Sequence, residues 1–436
     1  MIEEPSFIGD QMHAWAKELF PLNRSLTGEG LRQTLQFIKN LCPDLSIQEV
    51  KSGTKANDWE IPEEWNVKEA YLVNLETGQT IDFRDNNLHL MGYSVPVNKI
   101  VSRDELELHL HSLPNQPDAI PYVTSYYAKD WAFCVSENQK RNFGSGNFKV
   151  LIDSTLETGV MNFAELYIPG VNKEEILLST YVCHPSMASN ELSGPVIALA
   201  ISKWLQGKSN RNYSYRILFI PETIGSIYYI SKNLKEMKEN IKAGWVLTCL
   251  GDENRYSYVP SRRGGTLADR VSLKTLKELE VKFDKYTFLE RGSDERQYCS
   301  PGVDLPVASL MRSKYGTYEE YHTSLDDLKY MTPKGLAESF EMIRTSIEIL
   351  ELNKFWKVKT LGEPQLGKRG LYPTVSTKNS GRLVEDLTNV IAYCDGETDM
   401  IEISDICNLK FKRVSEIIEL LLEHDLVEEV KYKNEI

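Results

Sequence analysis

Histidine is sparse in this chain, seven in 436 residues, and two of the seven stand where apolar runs give out. The stretch STYVCHPSMASNELSGP begins at Ser179 and closes the run EEILLSTYVCHP with His184. Asn190, Glu191, Ser193 and Gly194 follow within ten residues of it. A second run, YSYRILFIPETIG, ends at Glu222, and a third, AGWVLTCLGDE, ends at Asp252 with Glu253 behind it. KYGTYEEYHTSLDDL then carries His322, Asp326 and Asp327 in a polar loop. Imidazole and carboxylate ligands suit zinc or a similar divalent ion. A carboxylate beside bound water can act as a general base. Any one of these residues alone reads as a polar loop residue; four exits that each deliver one read as a site.

For those residues to meet, the runs must lie side by side. From Phe148 onward apolar runs alternate with helical patterns such as GPVIALAISKWLQ, IGSIYYISKNLKEMKENI and PKGLAESFEMIRTSIEILE. Strands alternating with helices predict a mostly parallel sheet covered on both faces, and such sheets bind ligands beyond the carboxyl ends of their strands. Pro195 is tolerated in the first turn of its helix, and Ser193 and Gly194 let that helix start pack closely. Cys183 is expected on the opposite side of the strand from His184, in the core. FKVLIDSTL and GVMNFAELYIPG read as a pair of strands.

The rest of the chain has other textures. Between about Ala56 and Gly146 it consists of short β-like runs separated by turn signals such as ETGQ and RDNN. This predicts a β-rich module inserted at 56–146 into an α/β domain formed by 1–55 and 147–360, its loops beside the sheet's carboxyl edge. His109 and His111 alternate with leucines there, with no acidic or thiol partner at a helpful spacing. In the first forty residues two helical patterns flank PLNRSLTGEG, where Arg24, Ser25 and Thr27 form a polar knot and Thr27 and Gly28 can cap the second helix. A Gly/Pro/Ser/Thr-rich linker is expected at 361–381. Three helical patterns and a terminal β piece over 382–436 then predict a winged helix-turn-helix.

Composition narrows the function. The formal net charge is -13, and an acidic chain is a poor non-specific nucleic-acid binder. The third helical pattern of the last segment has Lys410, Lys412 and Arg413 only at its start, so DNA is not expected as a partner and a protein surface, or a second copy of the chain, is. Seven scattered cysteines without a CxxC pair read as reduced thiols. The start MIEEPSFIGDQMHAW lacks a signal-peptide core, and no apolar run reaches membrane-spanning length. Together these predict a cytoplasmic protein with no membrane partner.

The order His, Asn-x-x-Ser-Gly, Glu-x-x-Gly-Ser, Asp, His-Thr-x-x-Asp resembles the zinc aminopeptidases of the M28 family, which use a two-metal site. LFPLNRSLTGEGLRQTL, DWEIPEEWNVKEAY, YVCHPSMASNELSGP, YVPSRRGGTLADR and GSDERQYCSPG are similar, more closely, to a bacterial aminopeptidase-like family of unknown function often linked to polysaccharide biosynthesis. The resemblance spans nearly the whole chain. It implies an α/β, phosphorylase/aminopeptidase-like fold with an inserted β-rich domain and a C-terminal winged helix. It implies metal ligands at His184, Asp252 and His322, a general base at Glu222, and the acidic residue behind the last histidine at Asp326. Two positions depart from the pattern. Asn190 stands where the bridging aspartate belongs and Thr223 where a second glutamate belongs, so one zinc ion, or another divalent metal, is expected. Glu191 could stand in as a ligand.

Asn190, Arg262, Arg296 and Asp326 are the expected substrate contacts, with Arg263 beside Arg262. A guanidinium can clamp a carboxylate or phosphate, or simply pair with Asp294 or Glu295. The sequence therefore predicts a metal-dependent hydrolase of a small amide or peptide-like substrate. The alternative is a ligand-binding or regulatory protein with a degenerate metal site.

Overall fold

The run Glu175–Tyr181 has every residue buried, which only a strand covered on both faces permits. It is a central strand of an eight-stranded sheet. The order is Ser46–Lys51, Val160–Ile168, Ser214–Ile220, Glu175–Tyr181, Ile241–Val246, Val307–Met311, Ser257–Val259, Asp284–Lys285. The four strands from Ser214–Ile220 to Val307–Met311 run parallel, and antiparallel partners flank them on both sides. The register aligns Tyr181 with Ile220 and Ser179 with Val246, so the residues just past these strands emerge at one level. The computed structural model of the chain describes residues 5–371 and 378–431. No helix among the described residues is long and apolar enough to cross a membrane.

Helix Ser193–Gln206 begins immediately behind the central strand. A Cβ on Gly194 would lie 2.2 Å from the Leu247 carbonyl oxygen and 2.3 Å from Thr180 Oγ1, so the approach of helix to strand requires glycine. Ser193 Oγ accepts the Leu250 amide and donates to the Ser189 carbonyl, stitching the helix start to the next strand's exit.

A separate antiparallel sheet, in the order Thr80–Asp82, Glu64–Asn74, Asn147–Glu157, Val97–Ser102, forms the β-rich module. One expectation fails here. Asn147–Glu157 does not pair with Val160–Ile168. It pairs with Glu64–Asn74 and Val97–Ser102 and completes this sheet, so the module runs about ten residues past Gly146. Its alternating burial fits a two-sided sheet edge as well as a large one, and pairing was not legible from it. Pro121 of this module bridges to Thr323, the Tyr122 amide donates to the His322 carbonyl, and Ser324 donates to Ile120. Leu110–His111 is only a two-residue strand, and His109 stacks on Trp131 with Nδ1 bonded to the Trp131 carbonyl oxygen.

Residues 1–269 and 282–343 form one compact unit; 270–281 and 344–436 form a second. In the second, Phe355–Val358 pairs with both Asp395–Asp399 and Val427–Val430. The winged-helix sheet therefore takes a strand from before the expected 361–381 linker, a part of which, 372–377, lies outside the described residues. Helices Lys378–Ala392, Met400–Ile406 and Phe411–Glu423 complete the fold. The turn between the last two is held by residues 270–281: Lys274 and Lys277 pair with Asp405, Glu278 accepts the Phe411 amide, and Glu280 pairs with Lys410. Arg413 pairs with Asp386 and Glu416.

Gly194→Ala is expected to lower stability by about 1–3 kcal/mol, the range for overpacking against atoms that cannot move. Gly207→Ala, whose nearest neighbour is 3.4 Å from the new Cβ, should change little. Urea unfolding of both variants checks this; equal midpoints would contradict the close approach.

Candidate active site at the carboxyl edge of the sheet

The site is built around one buried carboxylate. Glu191 sits in the wide turn Ala188–Leu192 between the central strand and its helix, and its side chain points back under His184. Its Oε2 accepts the Cys183 amide at 3.0 Å, the His184 amide, and His184 Nδ1 at 2.8 Å. Its Oε1 accepts Arg24 Nε at 2.8 Å, both side chains being fully buried. Arg24 also donates to the His184 and Leu19 carbonyls, and its Nη2 has no protein partner. A carboxylate already engaged by N–H donors accepts from Nδ1, so the proton lies there and Nε2 faces the site. Burial lowers the His184 pKa, but the neighbouring Cys183 and Glu191 outweigh it and hold it well above the ordinary histidine value.

Glu222 lies two residues past Ser214–Ile220, and its Oε2 is 3.6 Å from His184 Nε2. Its amide donates to Cys183 Sγ at 3.2 Å and its Oε1 accepts from Ser293 Oγ at 3.2 Å. Burial raises its pKa, with His184 and Arg296 pulling the other way. Next to it Thr223 is held at φ +65, its amide donating to Asp294 Oδ1 at 2.8 Å and its hydroxyl accepting from Arg296 Nη2 at 3.0 Å. Burial, then the Glu222 charge, push the Asp294 carboxyl up to about 7. Ser186, Cys249 and His322 also have positive φ. Four non-glycine residues in this region at strand or loop exits mark a backbone that its surroundings force.

The His322 ring lies 5.5 Å from the His184 ring, centroid to centroid. Tyr321 stacks on it at 3.9 Å, and Tyr122, delivered by the β-rich module, sits 5.2 Å from both histidines. Burial, then the His184 charge, lower the His322 pKa to about 3. Asn190 is fully buried. Its Nδ2 donates to the Tyr181 hydroxyl at 3.0 Å and to Cys249 Sγ at 3.6 Å, while Oδ1 has no protein partner.

The expected residues are thus only partly brought together. His184, Glu222 and His322 converge, Arg296 reaches Thr223 beside Glu222, and the Asn190 side chain lies on Tyr181 and Cys249. The Asp252 carboxylate is engaged by neighbouring loops: Oδ1 accepts the Asn254 amide and Ser313 Oγ, and Oδ2 accepts the Ser313 amide at 3.0 Å. The strand exit presents Cys249 to Asn190 instead. Asp326 accepts the Ser189 and Asn190 amides at 2.6 and 2.8 Å, so it positions the turn and is not placed to touch substrate. Arg262 and Arg263 both pair with Asp304. Cys183 is buried in the core, as expected, its Sγ 3.5 Å from His184 Nδ1, the nitrogen turned from the site, and accepting the Glu222 amide; burial pushes its thiol up to about 11. Cys183, His184 and Glu191 offer ligand atoms within 4.8 Å of one another. The Glu191 carboxylate already accepts four donors, which makes that trio a poor metal site. Thr27 is not a cap; its hydroxyl meets the Trp65 amide and the Tyr93 hydroxyl. Arg24, Cys249, Asp294 and Tyr122 were not foreseen in these roles, and only Arg24, in its polar knot, left a signal.

Histidines and a buried glutamate stand at the carboxyl edge of an open α/β sheet whose fold is aminopeptidase-like. Residues 13–353 match a family described as a domain of unknown function (DUF4910), and the chain belongs to it; residues 354–429 match a winged helix-turn-helix family. A Clostridium acetobutylicum protein named as a polysaccharide biosynthesis protein with an aminopeptidase-like domain is 42% identical over 428 residues, 98% of each chain. A crystal structure described as a peptidase from the same organism superposes with a TM-score of 0.91 at 41% identity, covering 98% of this chain and 97% of that one. The zinc aminopeptidase BSAP of Bacillus subtilis shares the fold, with a TM-score of 0.55 at 12% identity over 78% of this chain and 94% of its own.

Two outcomes follow from the geometry. Because Arg24 and Glu191 are buried against each other, Arg24→Met and Glu191→Gln should each cost about 3–5 kcal/mol, and the double variant less than their sum; additive losses in a denaturant-based double-mutant cycle would contradict the pairing. An unfolded histidine titrates near 6.5 and His322 near 3. As pH falls between those values the unfolded chain gains a proton that native His322 refuses, so this residue's contribution to stability declines. In chelator-treated protein the His322 ring resonances should stay unshifted between about pH 8 and pH 5; a midpoint near 6.5 would contradict the burial argument.

Proposed function

We propose that the chain is a single-metal hydrolase of an amide or peptide-like bond, with zinc as the metal and a role in polysaccharide biosynthesis. The observation that carries this reading is the meeting of His184 Nε2, Glu222 Oε2 and the His322 ring, with the Asn190 amide oxygen buried and unpartnered in the turn that follows His184. Two imidazoles sharing one tetrahedral zinc at a Zn–N distance of about 2.1 Å have ring centroids about 5 Å apart, close to the 5.5 Å seen here. His184, His322 and Asn190 would hold the ion. With Asp252 tied off and no bridging carboxylate, the donor set fits one ion and not two.

When bound, the ion supplies Lewis acidity toward a carbonyl oxygen and lowers the pKa of a bound water. Glu222 is placed to take the proton from the attacking water and return it to the leaving amine, its carboxyl raised by burial toward the range where a base also serves as an acid. Glu191 keeps His184 Nε2 directed at the site. Arg296, held by Ser293 and Thr223, supplies positive charge beside Glu222 for an anionic part of the substrate. Tyr122 and Tyr321 limit water access around both histidines. The name borne by the Clostridium relative supports the biosynthetic setting. For the winged helix, the engagement of Lys410 and Arg413 by carboxylates supports a protein partner, or self-association, over DNA.

The alternative, a ligand-binding protein without turnover, draws on the loss of Asp252 as a ligand. Elemental analysis and hydrolysis of aminoacyl amides separate the two. One zinc per chain is expected, lost in His184→Ala and His322→Ala, and Glu222→Gln should retain the metal while lowering kcat by roughly 10²–10⁴. Two tightly held ions would contradict the single-metal reading. Absence of metal at any zinc concentration, with activity indifferent to Glu222→Gln, would leave the binding-protein alternative.

A further inference from the structure

One cavity adjoins the candidate active site and has no part in the chemistry above. It encloses about 550 Å³ between the hairpin Lys55–Ala56/Trp59–Glu60 and the loop around Tyr126 and Tyr127. One side of it comes from DWEIPEEW, the stretch Asp58–Trp65 that the sequence set apart and that the proposed mechanism does not use. Tyr126 is the shared wall. Its hydroxyl bonds the Tyr122 hydroxyl at 3.0 Å, and the Tyr122 ring is 5.2 Å from His184. Tyr126 is also held at φ +41, a conformation that non-glycine residues adopt only when the surroundings impose it.

Two large rings are left in solvent here, Tyr127 in the cavity lining and Trp59 next in sequence to the lining residue Glu60. Trp59 is 41% and Tyr127 53% exposed, and they lie tilted to each other with centroids 6.2 Å apart. The Tyr127 hydroxyl donates to the Glu60 carbonyl, which fixes its ring at the rim. Around the rings the lining mixes hydrogen-bond acceptors with donors: Glu63, Lys129, Ser52 and Thr158. Glu63 and Lys129 compensate each other at 3.7 Å, and Glu60 pairs with Lys55, so the cleft does not select strongly for either sign of charge. Exposed flat rings beside neutralised polar groups suit a ligand with an apolar C–H face and a rim of hydroxyls. A pyranose ring is such a ligand: its axial C–H bonds pack on an aromatic face while its hydroxyls both donate and accept.

We propose that this cleft is a saccharide subsite, which holds a neutral hexose-containing oligosaccharide while an amide attached to it reaches Glu222 past Tyr126. The substrate class would then be a sugar carrying an N-acyl or peptide-like amide, an assignment that rests on the hydrolase reading for its chemistry but not for its binding. The test is calorimetric titration of the full chain with chitotriose and with maltotriose. Either sugar is expected to bind, at least about tenfold more weakly to Trp59→Ala and Tyr127→Ala, a loss of about 1.4 kcal/mol, and unchanged to Glu222→Gln. Both substitutions are at exposed side chains, and circular dichroism checks that the variants fold. No binding of either sugar at about 20 mM, or binding indifferent to both aromatic substitutions, would overturn the subsite. Sugar binding with no amide hydrolysis would keep the subsite and remove the hydrolase reading; hydrolysis of simple aminoacyl amides with no sugar binding would do the reverse.

Discussion

A carboxylate with no access to water must be given all its partners by the protein, and Glu191 receives them from two parts of the chain. The Cys183 and His184 amides come from the strand exit, the Nδ1–H from the residue it orients, and the guanidinium from Arg24, 167 residues away. Removing any of these leaves a buried charge or an open donor, so the corner that presents His184 can hold only one arrangement. The N-terminal segment is thereby fixed to the centre of the sheet. Through Thr27, bonded to the Trp65 amide and the Tyr93 hydroxyl, the same segment anchors the β-rich module that delivers Tyr122 to the histidines.

The same accounting explains what the site has lost. The protein uses three of the four acceptor positions of the Asp252 carboxylate on Ser313 and Asn254. It uses one lone pair on each oxygen of Asp326 for the amides of Ser189 and Asn190. Both groups hold loops in place. What remains open is Glu222, two imidazoles and the Asn190 carbonyl oxygen, a donor set with too little negative charge for two adjacent dications. Asn190 is then no defect: its amide nitrogen satisfies Tyr181 and Cys249 while its oxygen is left buried and unpartnered.

Much of this was legible in the sequence where local pattern carried it. Continuous apolar runs mark the parallel strands, and the polar residue at the end of each run marks His184 and Glu222. His322 was legible as a histidine in a polar loop after a strand. What pattern could not show is where a side chain points beyond the last pairing. Asp252 turns to Ser313, 61 residues on, which no local pattern signals. Asn147–Glu157 alternates as a half-buried strand of either sheet would. The winged helix takes Phe355–Val358 from before a stretch that reads as a linker, since a four-residue strand gives no periodicity of its own. Arg24 and Glu191 meet over a separation that no local rule spans.

The account turns on where a metal sits, and anomalous diffraction at the zinc edge from zinc-soaked crystals locates it directly. The account predicts one peak, between the His184 and His322 rings and within coordination distance of Asn190 Oδ1, with Asp252 still bonded to Ser313. A peak coordinated by Asp252, or a second peak beside the first, would contradict it.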